Sequence, residues 1–150
     1  MIFVENFVKI LKKNKVDFFT GVPDSILKNL SLYLENFSIK KHIIAANEGA
    51  AVSVGIGYYL SRKKIPCVYF QNSGLGNAIN PLISIAHKEV YSIPLLLIIG
   101  WRGSPNQPDE PQHKAKGKIT KKLLQLLKVK HCVLKSEKDL LKLKNLIKIS

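Results

Sequence analysis

The sequence predicts an α/β fold: a single doubly wound, mostly parallel sheet of about five strands with helices on both faces. Three observations predict it. Short apolar runs alternate with segments whose apolar residues recur at three-to-four spacing. The runs carry almost no polar residue on either face, as strands covered on both sides require. Segments unusual in glycine, asparagine or charge fall just after the runs, on the edge where such folds bind ligands.

The elements follow in order. Phe3, Phe7, Val8, Ile10 and Leu11 form the buried stripe of a first helix, and Val16 to Thr20 is a strand ending at Gly21-Val22-Pro23. Asp24 or Ser25 caps a helix with the stripe Ile26, Leu27, Leu30, Leu34. His42 to Ala46 is the second strand, and Asn47 caps a helix running to about Leu60. Ile65 to Phe70 is the third strand, and the turn Asn72-Ser73-Gly74-Leu75-Gly76 opens a helix carrying Ile79, Leu82, Ile83 and Ile85. Ile93 to Ile99 is the fourth strand. Trp101 to Gly117, with Gly103, Pro105, Pro108 and Pro111, reads as one long loop. A helix over Ile119 to Leu127, a strand over Lys130 to Leu134 and a helix over Glu137 to Ile147 complete the alternation.

A chain of 150 residues, 46% hydrophobic, is the size of one domain with one core. The apolar run Leu95 to Ile99 is too short to cross a bilayer, and the N-terminus lacks the order of a secretion signal. Cys67 and Cys132 have no CxxC spacing, so neither a disulfide framework nor a zinc site is expected. A cytoplasmic domain without a membrane partner is the expectation. The net charge of +14 is concentrated late: from Lys114 onward twelve lysines stand against Glu137 and Asp139, a net of +10. No Phe, Trp or Tyr follows Trp101, and arginine occurs only at 62 and 102. Nucleic-acid binding therefore lacks its stacking platform and its usual base reader, and is not expected. Solvated helix faces or an acidic partner account for the lysines instead.

Asn47-Glu48-Gly49-Ala50-Ala51 places a carboxylate on the first turn of a helix directly after an apolar strand. The helix then carries Gly49, Ala50, Ala51, Ser53, Gly55 and Gly57. Glycines cost helix propensity, so the sheet, a partner subunit or a ligand must approach its backbone, and the helix from Asn47 to Leu60 is expected in a subunit interface, where a bulky residue at Gly55 would impair assembly. Glu48 is either a solvated acid favoured by the helix dipole or a carboxylate inside a site.

Five segments occur in a telling order: Gly21-Val22-Pro23-Asp24-Ser25; Asn47 to Ala51; Gln71-Asn72-Ser73-Gly74-Leu75-Gly76-Asn77; Ile98-Ile99-Gly100-Trp101-Arg102-Gly103; and Asp109-Glu110-Pro111-Gln112-His113-Lys114. Together, over about residues 3–130, they resemble the N-terminal, pyrimidine-binding domain of the phosphonopyruvate decarboxylases, which use thiamine diphosphate. The α subunit of the sulfopyruvate decarboxylases is the nearest relative by pattern. The resemblance implies that residues 1–150 form a pyrimidine-binding domain and that Glu48 hydrogen-bonds the aminopyrimidine N1′, promoting proton removal from thiazolium C2. It implies a catalytic or substrate role for Ser25, Asp24 and His113, and a cofactor cleft lined by Asn72, Ser73, Gly74, Gly76 and Asn77. Arg102, a permanently charged fork after the fourth strand, would suit a phosphonate or sulfonate. For each there is a plainer role: a helix cap, a glycine turn, an exposed histidine, a surface arginine.

Related enzymes hold Mg²⁺ and the diphosphate with a Gly-Asp-Gly segment in a separate domain, and the sequence contains none. The resemblance therefore implies a diphosphate-binding partner subunit or domain that carries the Mg²⁺, in a homo- or hetero-oligomer. The expected reaction is decarboxylation of a small 2-oxoacid, 3-phosphonopyruvate, with sulfopyruvate as the main rival. A non-catalytic binding module that keeps the fold is a further alternative.

Overall fold

In the computed structural model, which describes residues 2–149, four parallel strands form one sheet in the order β2-β1-β3-β4. The strands are β1 (Phe19–Gly21), β2 (His42–Ile44), β3 (Cys67–Gln71) and β4 (Leu96–Gly100). The helices are α1 (Val4–Lys13), α2 (Lys28–Leu34), α3 (Glu48–Arg62), α4 (Leu75–Pro81), α5 (Pro111–Leu126) and α6 (Leu140–Ile149). Among the described residues no helix is long and apolar enough to cross a membrane.

Alternation along the strands divides the interior into two layers. Phe19, Cys67 and Tyr69 pack against α1, α2 and α6, through Leu11, Leu34 and Leu143 among others. Val68 and Phe70 point the other way, against Ala51, Val52 and Ile56 of α3, Leu75 and Ala78 of α4 and Leu124 of α5. The chain runs from β1 outward to β2, then back past β1 to β3 and on to β4. The strand order reverses between β1 and β3, so the loops after these two strands flank the switch point where open α/β sheets bind ligands.

α3 begins where the sequence predicts. Asn47 caps it, its Oδ1 accepting the Ala50 N–H at 2.9 Å, and Lys63 ends it in the left-handed region (φ 55°). Its small residues have different causes. A Cβ on Gly55 would stand 2.9 Å from Val68 Cγ2, so Gly55 lets the helix approach the sheet. Gly55 therefore packs on the sheet, which corrects the expectation that a bulky residue there would act through a subunit interface. Gly57, by contrast, is exposed with nothing within 4 Å of a Cβ.

Three further expectations are corrected. The sheet has four strands, and residues 129–135 form none, because the strand expected over Lys130 to Leu134 makes no ladder with β4. The expected loop from Trp101 to Gly117 ends at Glu110. Pro111 opens α5, since the first helical position needs no N–H and suits proline's fixed φ. Neither Asp24 nor Ser25 caps α2, which starts at Lys28 without a side-chain cap. Asp24 Oδ1 instead accepts the N–H groups of Ile26 (2.6 Å) and Leu27 (3.0 Å), folding the loop before the helix.

Candidate active site

The carboxyl ends of the strands bring two groups of side chains together. The first is built on α3 and α4. Glu48, half-buried on the first turn of α3, lays its carboxylate against the turn after β3. A Cβ on Gly74 would lie 2.0 Å from Glu48 Cδ and 2.0 Å from Oε1, so only glycine at 74 leaves room for it. Asn77 donates from Nδ2 to Glu48 Oε2 at 2.8 Å. Oε1 accepts no hydrogen bond among the described residues. Gly49 completes the packing, because a Cβ there would stand 2.8 Å from the Asn77 carbonyl oxygen.

The second group ties β1 to β4 and α5. Arg102 donates from Nε to Asp109 Oδ2 (2.9 Å) and from Nη2 to Oδ1 (2.5 Å), while Nη1 reaches Ser25 Oγ at 3.1 Å. The Gly103 N–H also donates to Asp109 Oδ2 at 2.8 Å. These donors hold the Asp109 carboxyl well below the usual carboxylate range, the Arg102 side chain first among them, and the pair raises the guanidinium in turn. Gly103 has φ +65°, and a Cβ there would overlap the His113 carbonyl; one on Gly117 would overlap the Gly103 carbonyl. α5 is thereby pressed onto the end of β4.

Asn72 joins the two groups. It is buried, donates from Nδ2 to the Arg102 carbonyl (3.0 Å) and Thr120 Oγ1 (2.9 Å), and accepts the Arg102 N–H at Oδ1 (3.0 Å). Its polar atoms are thus engaged by the protein. Ser73 donates to Gln71 Oε1 at 2.9 Å, and Gly76 is exposed with open space around it.

Two buried polar atoms at this edge have no hydrogen-bond partner among the described residues: Asp24 Oδ2, next to Gly100, and His113 Nδ1, on the first turn of α5. Leaving such a group unpaired costs about 1–3 kcal/mol, so each invites a ligand or a bound water. Asp109, Thr120, Gly100 and Gly117 carry much of this architecture, yet the sequence reading assigns none of them a role. A lone arginine with an aspartate seven residues on was the available signal.

The edge suits a ligand that donates a hydrogen bond or shares a proton. It presents a half-buried carboxylate with one oxygen fixed and the other unengaged, on a cradle that any Cβ at residue 74 would fill. Comparison with known proteins gives the family. Residues 1–127 match the family described as thiamine pyrophosphate enzyme, N-terminal TPP binding domain. The chain is 41% identical over 106 residues to a phosphonopyruvate decarboxylase of Streptomyces viridochromogenes, covering 71% of this chain but 26% of that one. It is 37% identical over 125 residues to a sulfopyruvate decarboxylase subunit alpha of Methanococcus maripaludis, covering 83% of this chain and 72% of the relative. A solved 4-hydroxybenzoylformate decarboxylase of Rhodococcus jostii RHA1, a thiamine diphosphate-dependent enzyme, superposes with a TM-score of 0.54 at 26% identity, over 66% of this chain and 18% of that chain. The chain belongs to the family of N-terminal, TPP-binding domains of thiamine pyrophosphate enzymes.

Proposed function

We propose that this chain holds the aminopyrimidine end of thiamine diphosphate and serves as the N-terminal half of a decarboxylase that converts 3-phosphonopyruvate to phosphonoacetaldehyde and carbon dioxide. The observation that carries this reading is the Glu48 carboxylate, laid on Gly74 and fixed by Asn77 with Oε1 unengaged. When bound, the cofactor supplies the electron sink for decarboxylation. Glu48 holds a proton at a ring nitrogen through Oε1, and its half-buried setting and fixed geometry favour that sharing. Asn77 keeps the carboxylate oriented. Asp24 Oδ2 and His113 Nδ1 are buried, unpaired polar atoms that would meet a substrate only once uncovered, and Arg102 holds the exposed Ser25 hydroxyl. Arg102 itself is closed on Asp109, so it positions Ser25 and the loop; gripping a phosphonate would require Asp109 to release the fork.

Mg²⁺ and the diphosphate would be held by a partner subunit or domain, since the sequence has no Gly-Asp-Gly segment. The working form in this reading is an oligomer in the cytoplasm, a reducing compartment that suits the free cysteines Cys67 and Cys132. Sulfopyruvate is a second substrate reading, favoured by the match that covers 72% of a subunit alpha. The test is Glu48→Gln with a diphosphate-binding partner supplied. Cofactor binding should persist, while thiazolium C2 proton exchange, followed by quenched-flow NMR, and carbon dioxide release both fall by about a hundredfold or more. Equal exchange rates in mutant and wild type would overturn the proposal, and parallel rates on the two 2-oxoacids choose the substrate.

A further inference from the structure

Arg102 commits two of its three guanidinium nitrogens to Asp109, and the third sets the chemistry of Ser25. From Pro105 to Glu110 every residue is exposed except Asp109, whose side chain turns inward at 9% exposure. Its carboxylate accepts four N–H groups: Arg102 Nε (2.9 Å) and Nη2 (2.5 Å), and the backbone of Gly103 (2.8 Å) and Glu110 (2.9 Å). The two backbone donors come from either end of the loop, so they hold the carboxylate independently of the guanidinium. Nε and Nη2 form one edge of the guanidinium plane, and a carboxylate that takes both fixes that plane. Nη1 is then left with one direction, and it meets Ser25 Oγ at 3.1 Å.

Arginine can only donate, so Ser25 Oγ accepts through a lone pair and keeps its own O–H as a donor. Among the described residues that hydrogen has no acceptor. Ser25 is exposed and caps no helix, since α2 starts only at Lys28. The loop that carries it is held as well, because Asp24 Oδ1 accepts the N–H groups of Ile26 and Leu27. The serine therefore stands just past the carboxyl end of β1 with its oxygen pinned and its hydrogen unused.

Charge does not do the same work here. Asp109 first, then Asp24 and Glu110, stabilise the Arg102 guanidinium, so one cation stands among three carboxylates. Its charge is already answered, and none is left over to draw in an anion. What this corner offers a ligand is a directed hydrogen bond from a neutral hydroxyl, and such a donor selects an acceptor oxygen.

We propose that Asp109 is a positioning residue, acting through Arg102 to fix the Ser25 hydroxyl as a hydrogen-bond donor to an acceptor oxygen of the substrate. That the substrate is a 2-oxoacid rests on the decarboxylase reading above; the relay from Asp109 to Ser25 does not. The relay is also separate from Glu48, which belongs to the group of side chains on α3 and α4.

The first measurement needs only the chain. Its arginines are Arg62 and Arg102, so Arg62→Lys assigns their Nε–H signals in a nitrogen-15 NMR spectrum. Asp109→Asn keeps the size of the side chain but accepts through one oxygen only, and exchange of the Arg102 Nε–H with water should quicken by about tenfold or more. Ser25→Ala should leave that exchange near the wild-type rate, because Asp109 still holds the edge. Unchanged exchange in Asp109→Asn overturns the relay. The second measurement uses the holoenzyme, with the diphosphate-binding partner and saturating cofactor. Asp109→Asn and Ser25→Ala should each lower kcat/KM for the 2-oxoacid by about tenfold, and the double variant should lose no more than Ser25→Ala alone. Thiazolium C2 proton exchange, followed without substrate, should keep its rate in Asp109→Asn. Losses that add in the double variant, or C2 exchange that falls with Asp109→Asn, assign Asp109 to the fold alone and overturn the proposal. If Asp109→Asn does not fold, Arg102→Lys, which leaves Asp109 its backbone donors, breaks the relay at its middle and takes its place in the cycle. A wild-type holoenzyme that turns over no 2-oxoacid fails the decarboxylase reading and the substrate half of this proposal, while the Nε–H exchange still decides the relay.

Discussion

The carboxylate of Glu48 can lie where it does only because residue 74 has no side chain, and Gly74→Ala tests this directly. The backbone at Gly74 (φ −87°, ψ −1°) is one that alanine adopts without strain. The new methyl would begin 2.0 Å from Glu48 Cδ and Oε1, and ordinary contact lies near about 3.5 Å. The carboxylate must therefore retreat by about 1.5 Å, and the Asn77 hydrogen bond, now 2.8 Å, is lost at a cost of about 1 kcal/mol. A misplacement of about 1 Å in a catalytic group costs about a hundredfold in rate. With cofactor saturating and the diphosphate-binding partner present, C2 proton exchange should fall by that factor, while the urea midpoint drops only slightly. Gly76→Ala is the matched control: nothing lies within 4 Å of its Cβ, so exchange should hold and helix propensity should add up to about 1 kcal/mol. Wild-type exchange in Gly74→Ala, or equal slowing in Gly76→Ala, would refute the placement of Glu48.

Other substitutions probe the scaffold around the site. Gly55→Leu should destabilise the isolated chain by about 1–3 kcal/mol through overpacking against Val68; unchanged urea denaturation with lost association would return Gly55 to a subunit interface. Arg102→Lys removes the planar fork that holds Asp109, so amide exchange across residues 101–110 should accelerate. Unchanged protection would show that the loop is held without it. His42, hydrogen-bonded to Tyr69 Oη at 2.7 Å, has its pKa lowered, chiefly by burial, against opposing contributions from Leu34 and Glu35. Because the folded value lies below the unfolded one near about 6.5, stability is fully present above that pH and is lost as pH falls toward the folded value. Urea titrations between pH 7 and 5 should show this slope, weakened in His42→Gln; an unweakened slope assigns it to other groups.

Local chemistry made much of this protein legible from its sequence. Apolar runs ending at Thr20, Ala46, Phe70 and Ile99 mark strands because a strand covered on both faces tolerates little charge, and the observed strands end within two residues of these. Asn47 marks a helix start because its side chain satisfies a free N–H. Those two signals alone place Glu48 at a strand's carboxyl end, on the edge where ligands bind. Tertiary contacts decided the rest. Gly55 and Gly57 are alike as letters, and only the packing of α3 shows that one touches the sheet and the other open space. Pro111 reads as a loop residue until the helix that it opens is seen pressed against Gly103. Arg102 reads as an anion ligand until Asp109 is found across its fork. His131-Cys132-Val133-Leu134 has the composition of a strand, but a strand exists only when a neighbour shares its hydrogen bonds, and among the described residues it forms no ladder with β4.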